Sequence, residues 1–343
     1  MIGSGFLDSA GELISAALPN RSRGVIISDT AVAPLFAKRL QQSLAAVKLD
    51  TAVVLLPAGE PSKNLEEVGR ITNEMAKDGL DRQSFVVGLG GGVVGDLSGF
   101  VAAIYHRGIP HVQIPTTLLA MVDSSIGGKT GVNTVAGKNL LGSVHQPSLV
   151  IDDLDVLKTL PSRELSQGFA EIIKHAIIAD GEMFAQLKGR QPRKTEDLED
   201  LIRRNIEIKA RFVADDEQDL SGQRAVLNFG HTIGHAIERA GDYRVFLHGE
   251  AISLGMVAAA RISVKRAGLS KSDGAEIEDL LKHYSLPTSL PDGFDRDKIM
   301  SSVAADKKFE KGQVRFVVSP SLGSAYLSSK VTLDEIREAI ASL

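Results

Sequence analysis

Short, mainly apolar, strand-like runs recur through the first half of the chain, and helical spacing follows several of them. No other feature limits the fold as much. Gly24-Val25-Ile26-Ile27-Ser28-Asp29 and Ala52-Val53-Val54-Leu55-Leu56-Pro57 are two such runs. Ser84-Phe85-Val86-Val87-Gly88-Leu89, His111-Val112-Gln113-Ile114-Pro115 and Leu149-Val150-Ile151-Asp152 are three more. Leu65 to Asp78 reads as a helix ending at Asp78-Gly79, and Asp96 to Tyr105 reads as another. Strands alternating with helices imply βαβ units, and these lay their strands in a parallel sheet. The first half is therefore expected to be an α/β domain.

The texture changes near residue 160. Ser162-Arg163-Glu164-Leu165, with Pro161 before it, reads as a capped helix start at Ser162. Helical patterns follow at roughly 162–180, 194–213, 225–241, 249–268 and 274–284. Strand patterns reappear only at Gln313 to Ser319. The expected domains are 1–158, α/β, and 159–343, mainly helical, and a length of 343 residues suits two domains. The charged stretch Lys194 to Arg204 reads as a solvated helix face.

Composition removes several function classes. There is no cysteine, so disulfides are impossible and any metal must be held by His, Asp or Glu. A net charge of -4 leaves no basic excess for a nucleic acid. No apolar run approaches the roughly 20 residues of a membrane helix. No basic segment followed by an apolar one opens the chain. A cytoplasmic protein without nucleic-acid or membrane partners is expected.

Three segments carry chemistry. In Gly88-Leu89-Gly90-Gly91-Gly92-Val93-Val94-Gly95-Asp96, glycines join a strand to a helix. Glycine permits close backbone approach and positive φ, and a helix N-terminus attracts phosphate. Asp29, at a strand end, is placed to hold a ribose hydroxyl or to form a turn. The segment from Pro115 to Gly131 mixes Thr116, Thr117, Asp123, Ser124 and Lys129 with glycines, and Gly137-Lys138-Asn139 follows, a pattern suited to anions. Finally, Glu171, Lys174 and His175 share one helix face, His231 and His235 stand one turn apart, and His248 opens the next helix. A carboxylate with two or three imidazoles suits zinc or a similar ion. Spacing alone does not choose among His175, His231, His235 and His248. Lys209, Arg224 and Asn228 lead up to the His pair and, with Lys174, suit an anion pocket, though each alone reads equally as a surface residue.

Taken together, Gly90-Gly91-Gly92-Val93-Val94-Gly95-Asp96, Ile114-Pro115-Thr116-Thr117, Val122-Asp123-Ser124-Ser125-Ile126-Gly127-Gly128-Lys129-Thr130-Gly131-Val132-Asn133, Ala170-Glu171-Ile172-Ile173-Lys174 and Asn228-Phe229-Gly230-His231-Thr232-Ile233-Gly234-His235 resemble the 3-dehydroquinate synthase family of sugar phosphate cyclases. The match runs from about residue 24 to about 318. The resemblance implies a Rossmann-like N-terminal domain, a helical C-terminal domain, an active site in the cleft between them, bound NAD, zinc or cobalt, and a homodimer. It implies Glu171, His231 and His248 as metal ligands, with His235 facing substrate and His175 no ligand. Lys129, Asn139 and His235 then contact the phosphate side, and Arg107 reaches the neighbouring subunit's site. Lys174, Lys209, Arg224 and Asn228 bind the carboxylate and ring hydroxyls, and Lys307 or Lys308 points inward. Glu60, Lys63, Gly91, Gly92, Val93, Asp96, Thr116, Thr117, Ser124 and Thr159 fall at NAD-contact positions, with Asp123 and Lys138 between NAD and substrate.

The family converts 3-deoxy-D-arabino-heptulosonate 7-phosphate to 3-dehydroquinate and phosphate, a carbon–oxygen lyase reaction with transient oxidation and no net redox. Two rivals share much of the pattern: a sister sugar phosphate cyclase, and a glycerol-dehydrogenase-like oxidoreductase. Asn139, Lys209, Arg224, Asn228 and His235 all agree with 3-dehydroquinate synthases, which favours a carboxylate-bearing substrate.

Overall fold

The computed structural model describes residues 1–191, 198–216, 222–304, 309–310 and 313–343. They fall into two compact units. One holds Met1–Leu160 with the first part of the helix Leu198–Ala214, up to Ile206; the other holds the rest.

The first unit begins with β1 (Ile2–Gly3) and α1 (Phe6–Ala17). Then come β2 (Arg23–Asp29), α2 (Ala33–Ala46), β3 (Asp50–Leu56), α3 (Leu65–Lys77), β4 (Phe85–Gly90), α4 (Gly92–Ile104) and β5 (His111–Pro115). β6 (Lys129–Thr134) and β7 (Gly137–Val144) form an antiparallel hairpin, and β8 (Leu149–Val150) and β9 (Asp152–Asp153) close the unit. The main sheet is parallel throughout, in the order β3-β2-β4-β5-β8. Its central strands are buried on both faces, which is why they read as mainly apolar runs rather than alternating ones. Val25, Ile27, Val86, Leu97 and Val101 share one core cluster. Strand order reverses at β2, with β3 on one side and β4 on the other. In open α/β sheets such a switch point, at the carboxyl strand ends, is where ligands bind.

Three local expectations are corrected. The helix read from Asp96 begins at Gly92. A Cβ added at Gly88 would lie 2.2 Å from Ser98 Oγ, and one at Gly90 2.6 Å from Val94, so packing of α4 on β4 extends the helix through poor helix formers. None of the glycines from Gly88 to Gly95 takes positive φ; they serve close approach alone. The hairpin Lys129–Val144 lacked a strand signal because much of β7 is exposed.

The second unit is built on α5 (Ser162–Ala179), α6 (Gly181–Gly189), the end of α7 (Leu198–Ala214), α8 (His231–Ala240), α9 (His248–Arg266), α10 (Lys271–His283), α11 (Arg296–Ala304) and α12 (Leu333–Ala341). Two short strands, β10 (Phe309–Glu310) and β11 (Gln313–Val314), pair with each other, as do β12 (Phe316–Ser321) and β13 (Ser324–Ser328). α9 is the central helix, packed by α5, α8, α10, α12 and β12. Ser162 is the first helical residue of α5 and gives no side-chain cap; Pro161 occupies the cap position. The helix read across 225–241 is broken into a 3-10 turn, Gln223–Asn228, and α8, because Gly230 takes φ 78. No helix among the described residues is long and apolar enough to cross a membrane.

Candidate active site and metal centre

In the first unit the N-terminus of α4 is pressed against the segment after β5. A Cβ on Gly91 would stand 3.1 Å from Thr117 Cγ2, and one on Gly92 3.0 Å from Ser124 Oγ. Val93 is half-buried in the same first turn. Asp123 and Ser124 lie on a single π-type turn, Ala120–Ser124, a distortion frequent at functional sites. Thr116 Oγ1 is buried with no hydrogen-bond partner.

A second group joins the hairpin tip to the turn before α3. Lys63 Nζ donates to Asp96 Oδ2 at 2.5 Å and to Asn139 Oδ1 at 2.6 Å. Lys138 Nζ lies 3.7 Å from Glu60 Oε1. Asn133, not singled out from sequence, ties these together. Its Nδ2 donates to Glu60 Oε1 at 2.8 Å, and its Oδ1 accepts the Asn139 backbone N–H at 3.0 Å. Asn139 takes φ 53, a left-handed conformation in which asparagine is tolerated. Glu60, Lys63, Asp96, Lys138 and Asn139 are thus gathered into one polar network.

Other candidates stand apart from this network. Asp29 Oδ1 accepts the N–H groups of Ala31 and Val32 at 2.8 and 2.9 Å, so it shapes the turn into α2. Thr159 Oγ1 donates to Val156 O at 3.0 Å, within a 3-10 turn. Lys129 is exposed at the start of β6, and Arg107 is exposed with φ 70.

The second unit holds the metal-like cluster. Glu171 on α5 is fully buried. Its Oε2 accepts from Lys174 Nζ, while its Oε1 has no hydrogen-bond partner. That oxygen lies 3.5 Å from His231 Nε2, at the start of α8, and 3.6 Å from His248 Nε2, at the start of α9. The structure thus brings Glu171, His231 and His248 within ligating range of one ion. His235 is exposed beside them, its ring 5.2 Å from that of His231 and 6.0 Å from that of His248. His175 is buried on α5.

Glycines let three helices deliver these groups. A Cβ at Gly249 would meet Gln167 O at 2.5 Å, where α9 crosses α5, and one at Gly255 would meet Gly230 O at 2.0 Å, where it crosses the start of α8. Burial alone would raise the Glu171 pKa, but Lys174 and the two imidazoles hold it well below the usual carboxylate range. Burial, and then the Lys174 charge, push His231 well down, so its ring is neutral. Burial opposes charge on His248, yet Glu171 and Glu238 outweigh it and push it up to about 10.

Lys209 on α7 and Arg224 are 7% and 5% exposed, a level of burial that charged side chains reach only when engaged. Arg224 and Asn228 lie on the 3-10 turn that packs against α5. Lys307 and Lys308 lie outside the described residues.

The two units define a class: a parallel α/β unit with glycine at the head of its fourth helix, followed by a helical unit carrying a Glu-His-His cluster. Comparison with known proteins gives the family. The models described as 3-dehydroquinate synthase N-terminal and C-terminal match residues 53–167 and 168–309. A 3-dehydroquinate synthase of Desulforamulus reducens is 46% identical over 326 residues, covering 94% of this chain and 90% of the relative. One of Symbiobacterium thermophilum is 44% identical over 348 residues, covering 100% and 96%. Among solved structures, a 2-epi-5-epi-valiolone synthase from Streptomyces hygroscopicus, with NAD+ and Zn2+ bound, is 29% identical with a TM-score of 0.89, covering 100% of this chain and 95% of that one. The chain belongs to the 3-dehydroquinate synthase family.

Proposed function

We propose that this chain converts 3-deoxy-D-arabino-heptulosonate 7-phosphate to 3-dehydroquinate and phosphate, as a cytoplasmic, phosphate-eliminating lyase that uses NAD and a divalent metal. The observation that carries the reading is the buried Glu171 Oε1, without a hydrogen-bond partner and facing two imidazole Nε2 atoms, in a chain 42–46% identical to 3-dehydroquinate synthases. One carboxylate oxygen and two imidazole nitrogens fit zinc or cobalt and leave room for substrate oxygens. The glycines packed against Thr117 and Ser124, at the head of a helix beside a sheet switch point, fit a dinucleotide. When bound, NAD takes up and returns a hydride while the metal polarises the hydroxyl being oxidised.

The chain's own residues position the substrate and balance its charge. Lys174, Lys209, Arg224 and Asn228 serve the substrate carboxylate and ring hydroxyls. Lys129, Asn139 and His235 serve the phosphate, whose growing negative charge on departure a fixed cation stabilises more than it does the ground state. Lys63 and Asp96 hold Asn139 and the start of α4 together, so phosphate and cofactor contacts are set by one network. Leu140 and Val144 stand exposed on one face of β7 and Leu141 on the other, apolar surface that a second copy in a homodimer would cover.

Phosphate release from 3-deoxy-D-arabino-heptulosonate 7-phosphate tests the reading, with absorbance at 340 nm followed in parallel and a chelator-treated control. Metal-dependent release without accumulating NADH is expected. No release from enzyme shown to hold metal and NAD would exclude this substrate and direct the assay to the sister sugar phosphates. Steady NADH production from a polyol would mean a dehydrogenase.

A further inference from the structure

Both imidazoles of the cluster turn the same nitrogen inward. His231 and His248 each present Nε2 to Glu171 Oε1, so each must satisfy Nδ1 elsewhere. His231 Nδ1 lies 3.3 Å from the carbonyl of Phe229. A carbonyl only accepts, so this contact places the proton on Nδ1 and the lone pair on Nε2. His248 Nδ1 lies 3.5 Å from Glu238 Oε2, and Glu238 is 3% exposed on α8. Burying a carboxylate is costly unless it is paired and hydrogen-bonded, and the His248 imidazole is one such partner for Glu238. Glu238 stands seven residues beyond His231, two turns along the same helix.

We infer that Glu238 is a positioning residue for the metal centre: it accepts from Nδ1–H of His248 and fixes the ring with Nε2 toward the ion, without ligating the ion itself. This rests on the metal reading given above. A carboxylate behind a ligating imidazole fixes the tautomer and raises ligand basicity, and losing it typically weakens metal binding about 10–100-fold. His231 has only a neutral carbonyl behind it, so the two imidazoles are unequal donors, with His248 the stronger. Glu238 was not singled out from the sequence, because nothing local in Ala236-Ile237-Glu238-Arg239 marks it as a partner of His248.

The test is Glu238→Gln, which keeps size and an acceptor oxygen while removing the charge. Zinc affinity is measured by chelator competition, and the Co2+-loaded protein by its visible absorption. The expected result is zinc binding weaker by about 10–100-fold, with the cobalt spectrum of the wild type preserved at saturation. Unchanged affinity in Glu238→Gln would overturn the inference. So would a cobalt spectrum that changes coordination at saturation, since Glu238 would then be a ligand, in the grouping of His235, Glu238 and His248. A wild type that binds neither ion would instead defeat the metal reading itself. Because Glu238 is buried, Glu238→Asp is measured alongside: partial recovery of affinity relative to Gln identifies the carboxylate as the active feature, and Asp no better than Gln counts against it.

Discussion

Lys174 and Glu171 form an ion pair from which water is almost absent, at 2% and 0% exposure. Removing one partner of such a pair leaves an uncompensated buried charge, at a cost of about 3–5 kcal/mol. Lys174→Met is therefore expected to lower the thermal midpoint of the metal-free protein markedly and to abolish phosphate release. A divalent ion would again set positive charge against Glu171, so zinc should raise the midpoint of the variant more than that of the wild type. Equal zinc-induced shifts in a calorimetric scan would show that Lys174 does not serve as the counter-charge in the empty site. At this scale the sequence displayed Glu171, Lys174 and four histidines in suggestive spacing, but spacing alone could not choose among the imidazoles; only the family resemblance pointed to His231 and His248. The choice depends on the crossing of α9 over α5 and α8, which no local pattern encodes. Asn133 and Glu238 were illegible for the same reason. Each draws its meaning from a partner brought close by the fold, Asn139 in one case and His248 in the other.

Elements carry the site because glycines let them approach. Gly249 follows His248 directly, and its hypothetical Cβ would lie 2.5 Å from the Gln167 carbonyl. Backbone cannot yield as the end of a flexible side chain can. Gly249→Ala should push the head of α9 away from α5, destabilise the protein by about 1–3 kcal/mol, and weaken zinc binding by moving His248 from Glu171. Gly69→Ala is the control: its Cβ would meet nothing within 4 Å on α3, and better helix propensity should stabilise by up to about 1 kcal/mol. Unchanged zinc affinity in Gly249→Ala would mean that the helix crossing does not set the ligand geometry. The central strands β2, β4 and β5 were legible as mainly apolar runs because both of their faces are covered. α4 was read four residues late because local propensity disfavours Gly92 and Gly95, and packing against β4 overrules it. The β6–β7 hairpin and the short helices α6 and α11 carry too little periodic burial to be seen before folding.

For the whole molecule, the pH dependence of stability is the sharpest consequence of burial. Asp152 on β9 is 1% exposed, and its Oδ1 has no hydrogen-bond partner. Burial, opposed in part by the N-terminal ammonium, pushes its pKa up to about 7 from an ordinary 3.8. The folded state thus binds this proton more tightly than the unfolded state does. The contribution is fully present below pH 3.8 and is lost as pH rises toward 7, so on this account stability falls across that window. The displacement corresponds to about 4 kcal/mol at most, at about 1.4 kcal/mol per pH unit. His111 acts in the opposite direction. Burial, then His145, pushes its pKa down to about 3, so its contribution is present above pH 6.5 and is lost on acidification. The two groups squeeze the molecule from both sides, and a single pH scan of the wild type would blur them. Asp152→Asn separates them, because asparagine imitates the protonated acid at every pH and leaves His111 untouched. The difference in stability between variant and wild type should be small at pH 4, grow in the variant's favour to pH 7, and level off above it. A difference that stays constant across pH 4–8, measured by denaturant unfolding in matched buffers, would show that Asp152 is ionised at no cost in the folded protein.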